Sequence, residues 1–144
     1  MKYQLKALLA AATVLFIFFL ATCDLGDPGV SITDRINRFT NDVENERNDR
    51  LTRHVHPNVA NRDQMNEVYW DQYFPSGSYS FDSIQGGGDS RTVHVTDGPV
   101  EWSGGDRWLE FEMREDGADW FIWVLEIWDP VDGLVNTIVP EPNP

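Results

Sequence analysis

Lysine is almost missing. The chain of 144 residues has only Lys2 and Lys6, and its 11 Lys and Arg stand against 24 Asp and Glu, a formal net charge of −13. No acid occurs before Asp24. Without its first 22 residues the chain keeps 122, with nine arginines, no lysine and all 24 acids, a net charge of −15. That balance excludes a general nucleic-acid binder, because neutralising phosphates takes a basic patch. Cysteine occurs once, at Cys23, so an intrachain disulfide is excluded. The apolar run ALLAAATVLFIFFL, at 7–20, has 14 residues and is too short for a comfortable bilayer span. Gly86-Gly87-Gly88 has no Lys after it and no helix start behind it, so it reads as a hairpin loop and not a phosphate cradle. Aromatic residues, by contrast, are plentiful. Six Trp and eight Phe supply core material, which argues against disorder throughout. The length suits one domain.

The first six residues are cationic and the next 14 are apolar, the layout of a secretory signal peptide. Leu20-Ala21-Thr22-Cys23 follows, and it resembles a bacterial lipobox: Leu at −3, small residues at −2 and −1, then Cys. Thr at −1 departs slightly from the usual Gly or Ala. The resemblance implies diacylglycerol on the Cys23 sulfur, cleavage before Cys23 and acylation of the new amino terminus. Each buried methylene would contribute about 0.8 kcal/mol, and two or more chains anchor stably. Such use of the thiol leaves no cysteine nucleophile or cysteine metal site. The implied location is the bacterial cell envelope, on the extracytoplasmic side of a membrane. Asp24 resembles the inner-membrane retention signal of enteric bacteria, but inner against outer membrane stays open. The expected layout is a signal peptide at 1–22, a lipidated tether at 23–30, one domain at 31–139 and a disordered tail at 140–144.

Within the domain, Ser31 and Asp34 form an S-x-x-D variant of the capping box. Ile32, Ile36, Phe39 and Val43 then recur on one helical face. Leu51 and Val55 extend it, so the spacing predicts a long helix over 31–52. Glu46 and Arg50 are set for an i, i+4 pair. His56 precedes Pro57 and is biased away from helix. A second, shorter helix is expected over 62–73, capped by Asn61, with Met65, Val68, Tyr69 and Tyr73 inward. Beyond Gly77 the period becomes two. Strands are expected around Tyr79 and Phe81, over 92–96 with Val93 and Val95 on one face, briefly at Val100 and Trp102, and over 108–114 with Leu109, Phe111 and Met113 inward. Glu115-Asp116-Gly117 signals a hairpin turn. The segment DWFIWVLEIW, at 119–128, is apolar on both faces apart from Glu126, as befits a central strand or one facing a ligand or partner. Trp120, Ile122, Val124, Glu126 and Trp128 are expected on one face, with Phe121, Trp123, Leu125 and Ile127 on the other. A weak edge strand is expected over 131–139.

This is an α+β pattern: two helices packed on an antiparallel sheet of four to five strands. It resembles small lipoproteins of the NTF2-like (cystatin-like) superfamily. The likeness rests on the helix leading into Leu51-Thr52-Arg53-His54-Val55-His56-Pro57, on Tyr69-Trp70 through Phe74, and on the hairpin from Trp108 to Ile122. It departs from that family in having no clear strand between the helices. The resemblance implies a curved sheet wrapped on the helix, forming a cone whose mouth often holds a small apolar ligand. Some members use Asp and His there as isomerases or dehydratases. No catalytic motif maps onto this chain residue by residue, and fold does not fix function.

The candidate chemistry is sparse. His54 and His56 have H-x-H spacing, but two ligands are too few for zinc, and they read better as a polar loop at a helix end. No metal site and no cofactor are expected. Asp63, Asp71, His94 and Glu126 could supply an acid/base pair. Glu126 and His94 lead, because Glu126 interrupts an apolar strand, where a carboxylate's pKa rises. Trp120, Trp123 and Trp128, with Tyr69, are the candidate ligand- or partner-contacting aromatics. The leading expectation is a lipid-anchored lipoprotein with a non-catalytic domain for a small molecule or protein. The alternatives are an NTF2-like enzyme using Glu126 or His94, and a glycan-binding or homodimerising module built on the Trp-rich sheet. The acidity fits a halophilic or GC-rich source. An anionic leaflet would repel it, so lipid rather than charge must hold such a protein at a membrane.

Overall fold

The computed structural model describes residues 29–100, Trp102 and 106–140. The expected signal peptide, Cys23 and the tail at 141–144 lie outside the described residues. Within them, helix α1 spans Ile32–Glu44 and a short α2 spans Glu67–Asp71. The strands are β1 (Ser80–Phe81), β2 (Ser90–Asp97), β3 (Trp108–Asp116), β4 (Asp119–Asp129) and β5 (Gly133–Val139). They form one five-stranded antiparallel sheet in the order β1-β2-β3-β4-β5. The protein is thus α+β with an open meander sheet. No described helix is long and apolar enough to cross a membrane.

Helix α1 starts as its sequence requires. The Ser31 hydroxyl accepts the Asp34 N–H at 3.2 Å and donates to the Asp34 carboxylate at 2.9 Å. It stops eight residues before the expected end at residue 52, because the chain closes a Schellman motif. Arg47 N–H donates to Asp42 C=O at 2.8 Å and Glu46 N–H to Val43 C=O at 3.1 Å, with Glu46 left-handed at φ 54°. Glu46 forms no pair with Arg50; its carboxylate accepts the Gly77 N–H at 3.0 Å. A 3-10 helix, Asn48–His54, continues the chain in place of α-helix.

The second helix is also shorter than expected. Asn61 adopts φ 57° and does not cap it; Asn66 does, accepting the Tyr69 N–H at 3.1 Å. This later start turns Val68 outward, 69% exposed, and buries Trp70 completely. The Trp70 indole donates to the Thr52 hydroxyl at 2.8 Å and to Met65 C=O at 3.0 Å. No strand forms at Val100 and Trp102: Trp102 N–H closes a turn onto Pro99 C=O at 2.7 Å and its ring enters the core.

The space between α1 and the sheet is filled. Phe39 packs edge-on against His54, Trp70, Phe74 and Phe111 at 5.7–5.9 Å. Val93, Leu109, Phe111, Leu125 and Ile138 close the sheet side of this core. Phe39, Trp70, Phe74 and Phe111 are all fully or almost fully buried there.

A bulge divides β4. Glu112 pairs with Val124 but Met113 pairs with Ile122, so Trp123 is an extra residue on β4. One extra residue reverses the alternation. Ile122 therefore turns inward with Leu125 and Ile127, against the expected sharing of a face with Val124 and Glu126. On its other side, the first half of β4 receives Val30 and the segment at Val55 and His56. Trp120 N–H donates to Val30 C=O at 2.9 Å, Val30 N–H to the Asp119 carboxylate at 2.6 Å, and His56 N–H to Ile122 C=O at 2.9 Å. Gly29 is required there, since a Cβ would lie 1.6 Å from the Ala118 carbonyl oxygen.

Candidate functional site

Beyond the bulge, alternation sends every second residue to the face away from α1. The register aligns these residues in rows. His94 pairs with Trp108, Trp108 with Trp128, and Trp128 with Leu134. The next row is Thr92, Glu110, Glu126 and Thr137, and a third is Ser90, Glu112 and Val124. The Trp108 and Trp128 rings are nearly parallel, 11° apart with centroids at 6.2 Å, and His94 leans on Trp108 at 5.8 Å. A cleft of about 260 Å³ opens over the other two rows, lined by Ser90, Glu110, Glu112, Val124, Glu126 and Thr137 among others and by neither tryptophan.

Glu126 is held in place. The Trp128 indole donates to one of its oxygens at 3.0 Å and the Thr137 hydroxyl approaches the other at 3.4 Å. Glu110 stands directly opposite on β3. Like charges in that position repel. Neither carboxylate forms an ion pair among the described residues. Buried Asp42 and half-buried Asp129 form ion pairs, while half-buried Asp82 and Asp119 accept the backbone N–H groups of His94 and Val30. Asp129 meets Arg107 at 3.3 Å, and backbone N–H groups of Val131 and Asp132 hold its pKa below the usual carboxylate value.

The other candidates lie elsewhere. Trp123 is covered by Arg114, whose guanidinium carbon sits 3.9 Å from the ring centroid, and by the His56 ring at 4.9 Å. Arg35 lies 4.3 Å over Phe121 and donates to Trp120 C=O at 2.7 Å. Tyr69 lines a separate cleft of about 460 Å³ with Asn61, Gln64, Asn66 and Gln72. Its hydroxyl donates to Ile138 C=O, and burial pushes the phenol pKa up. Of the four aromatic candidates, only Trp128 joins the open face. Glu126 and His94 do share it, but on the side of the sheet away from α1, so they form no acid/base pair within a cone. Trp108, Glu110 and Glu112 complete the face. The alternation that turns Leu109, Phe111 and Met113 inward turns these three outward, but only the β3–β4 register sets them beside Glu126 and Trp128.

His54 and His56 are buried, contrary to a solvated loop. His54 Nε2 meets the Asp42 carboxylate at 2.9 Å, and Arg53 reaches the same oxygen at 2.7 Å. His54 Nδ1 is buried with no partner. Burial pushes the His54 pKa down to about 4 despite Asp42, so the ring is neutral and not a cation at a helix end. His56 Nδ1 accepts the Asn58 N–H at 3.1 Å and does not converge with His54. The described residues contain no cluster of three metal-ligating side chains. Asp63 and Asp71 are exposed, and Asp71 accepts from the Asn48 amide at 2.7 Å.

No family model, curated protein or solved structure matches this chain.

Proposed function

We propose that this chain is a lipid-anchored protein of the bacterial cell envelope, held by acyl groups on Cys23, whose NTF2-like domain binds a partner without catalysis. The observation that carries the binding half is the open sheet face. Trp108 and Trp128 stand beside Glu110 and Glu126, with no ion pair from the described chain to neutralise either acid. Half-exposed aromatic rings beside carboxylates that no internal cation neutralises are the usual material of a recognition surface. Non-catalysis fits the placement of Glu126 and His94 in different rows of this face, Glu126 held by Trp128 and Thr137 and His94 against Trp108. The anchor fits the lipobox and the net charge of −15 that follows it, which gives the domain no electrostatic attraction to an anionic membrane. Labelling with radioactive palmitate tests the anchor. Incorporation that disappears in Cys23→Ala, together with release of that variant from the membrane fraction, is the expected result. An unlabelled wild-type chain, or a Cys23→Ala chain still bound to membranes, would overturn it.

A further inference from the structure

The aromatic rings of β4 meet two different fates. Before the bulge, the chain supplies its own cations: Arg114 lies on Trp123 and Arg35 on Phe121. After it, no cation of the described residues lies over Trp108 or Trp128, and two carboxylates face each other across the strands beside them. We infer that the open face formed by the Trp108–Trp128 and Glu110–Glu126 rows binds the guanidinium of an arginine side chain presented by a peptide partner. This inference rests on the binding-module reading above.

Three features select that chemistry. A guanidinium is planar, so it stacks on an indole and is attracted to its face. Its fork of N–H donors matches carboxylates, and Glu110 with Glu126 offers two, with side chains about 5 Å apart at their Cβ atoms. Glu126 is already aimed by Trp128 and Thr137, so less ordering is needed on binding. A neutral sugar would also stack on tryptophan, but it would leave the opposed Glu110 and Glu126 charges unneutralised. A second copy of this chain is disfavoured by its charge.

The test is calorimetric titration of the full chain in neutral detergent micelles with N-acetyl-argininamide. N-acetyl-lysinamide, of equal charge, and chitotriose, a neutral sugar, are run beside it. Arginine is expected to bind at least fivefold more tightly than lysine, and chitotriose not to bind this face. Glu126→Gln, Glu110→Gln and Trp128→Ala should each weaken arginine binding about tenfold. Glu115→Gln removes the same charge at the exposed end of β3 and should change binding less than twofold. Absence of arginine binding, equal affinity for lysine, equal loss in Glu115→Gln, or chitotriose binding lost in Trp128→Ala would each overturn the inference. Palmitate labelling reads the anchor alone and the titration reads the face alone, so either fails without the other. Chitotriose binding here would sink the arginine assignment and leave the binding-module reading standing.

Discussion

On one side of the bulge in β4, aromatic rings are covered by the chain's own cations; on the other they are left open. In the closed half, Arg35, Arg114 and His56 lie over Phe121 and Trp123, and Val30 and His56 hydrogen-bond to the strand edge. In the open half, Trp108, Trp128, Glu110 and Glu126 have one another, Thr137 and the His94 ring, and no arginine of the described residues. The residue types are alike. What differs is the register, shifted by one residue at Trp123. The closed half is therefore expected to respond to mutation chiefly in stability, and the open half chiefly in binding.

The largest expected effect bears on the closed half. His54 immediately precedes the step at Val55 and His56 that brings the chain onto β4. Its pKa is about 4 in the folded protein and near 6.5 when unfolded. Between those values the unfolded state binds the extra proton, so stability falls as pH is lowered from 6.5 toward 4, by about 3 kcal/mol in full. The carboxylate of Asp42 titrates below its ordinary 3.8, so its contribution is lost only at lower pH still. Urea midpoints at pH 7.5 and 4.5 check this; equal midpoints would contradict it. Next in size is Arg35→Ala. It leaves Trp120 C=O without its side-chain donor and uncovers Phe121, and is expected to cost about 2 kcal/mol. The half-exposed Trp108→Ala should cost less, about 1 kcal/mol. Equal losses in urea denaturation would dissolve the distinction between the halves. The smallest effect has the opposite sign. Glu110→Gln relieves the repulsion with Glu126 and is expected to stabilise by about 0.5 kcal/mol. A destabilised Glu110→Gln would mean that the pair supports the fold.

Local signals in the sequence carried much of the architecture. The Ser31 cap and the alternation of Leu109, Phe111 and Met113 each depend on a few adjacent residues, and each formed where expected; the hairpin expected at Glu115-Asp116-Gly117 turns at Gly117 and Ala118, with Glu115 and Asp116 still paired in β3. The failures depend on contacts between distant residues. Helix α1 ends at a left-handed Glu46 and not at a glycine, and that Glu is engaged by Gly77. The end is therefore invisible to a search for glycine caps. Trp70 was missed because starting the helix at Asn61 in place of Asn66 sets the wrong phase. The bulge at Trp123 has no glycine to mark it, so the faces of β4 were assigned correctly only from Val124 onward for the run that includes Glu126 and Trp128. The open face was half legible: Glu126, His94 and Trp128 stand out along the chain, whereas Trp108 and Glu110 join them only through strand pairing.

The indole N–H signals of the six tryptophans offer the most direct measurement. In a nitrogen–proton correlation spectrum of the ¹⁵N-labelled full chain in neutral micelles, N-acetyl-argininamide should shift the Trp128 and Trp108 indole signals. The Trp128 indole reports directly, since it donates to Glu126. The Trp120, Trp123 and Trp70 signals should stay in place. Shifts confined to Trp120 and Trp123, or no shift at Trp128 and Trp108, would contradict the division of β4 into a closed half and an open one.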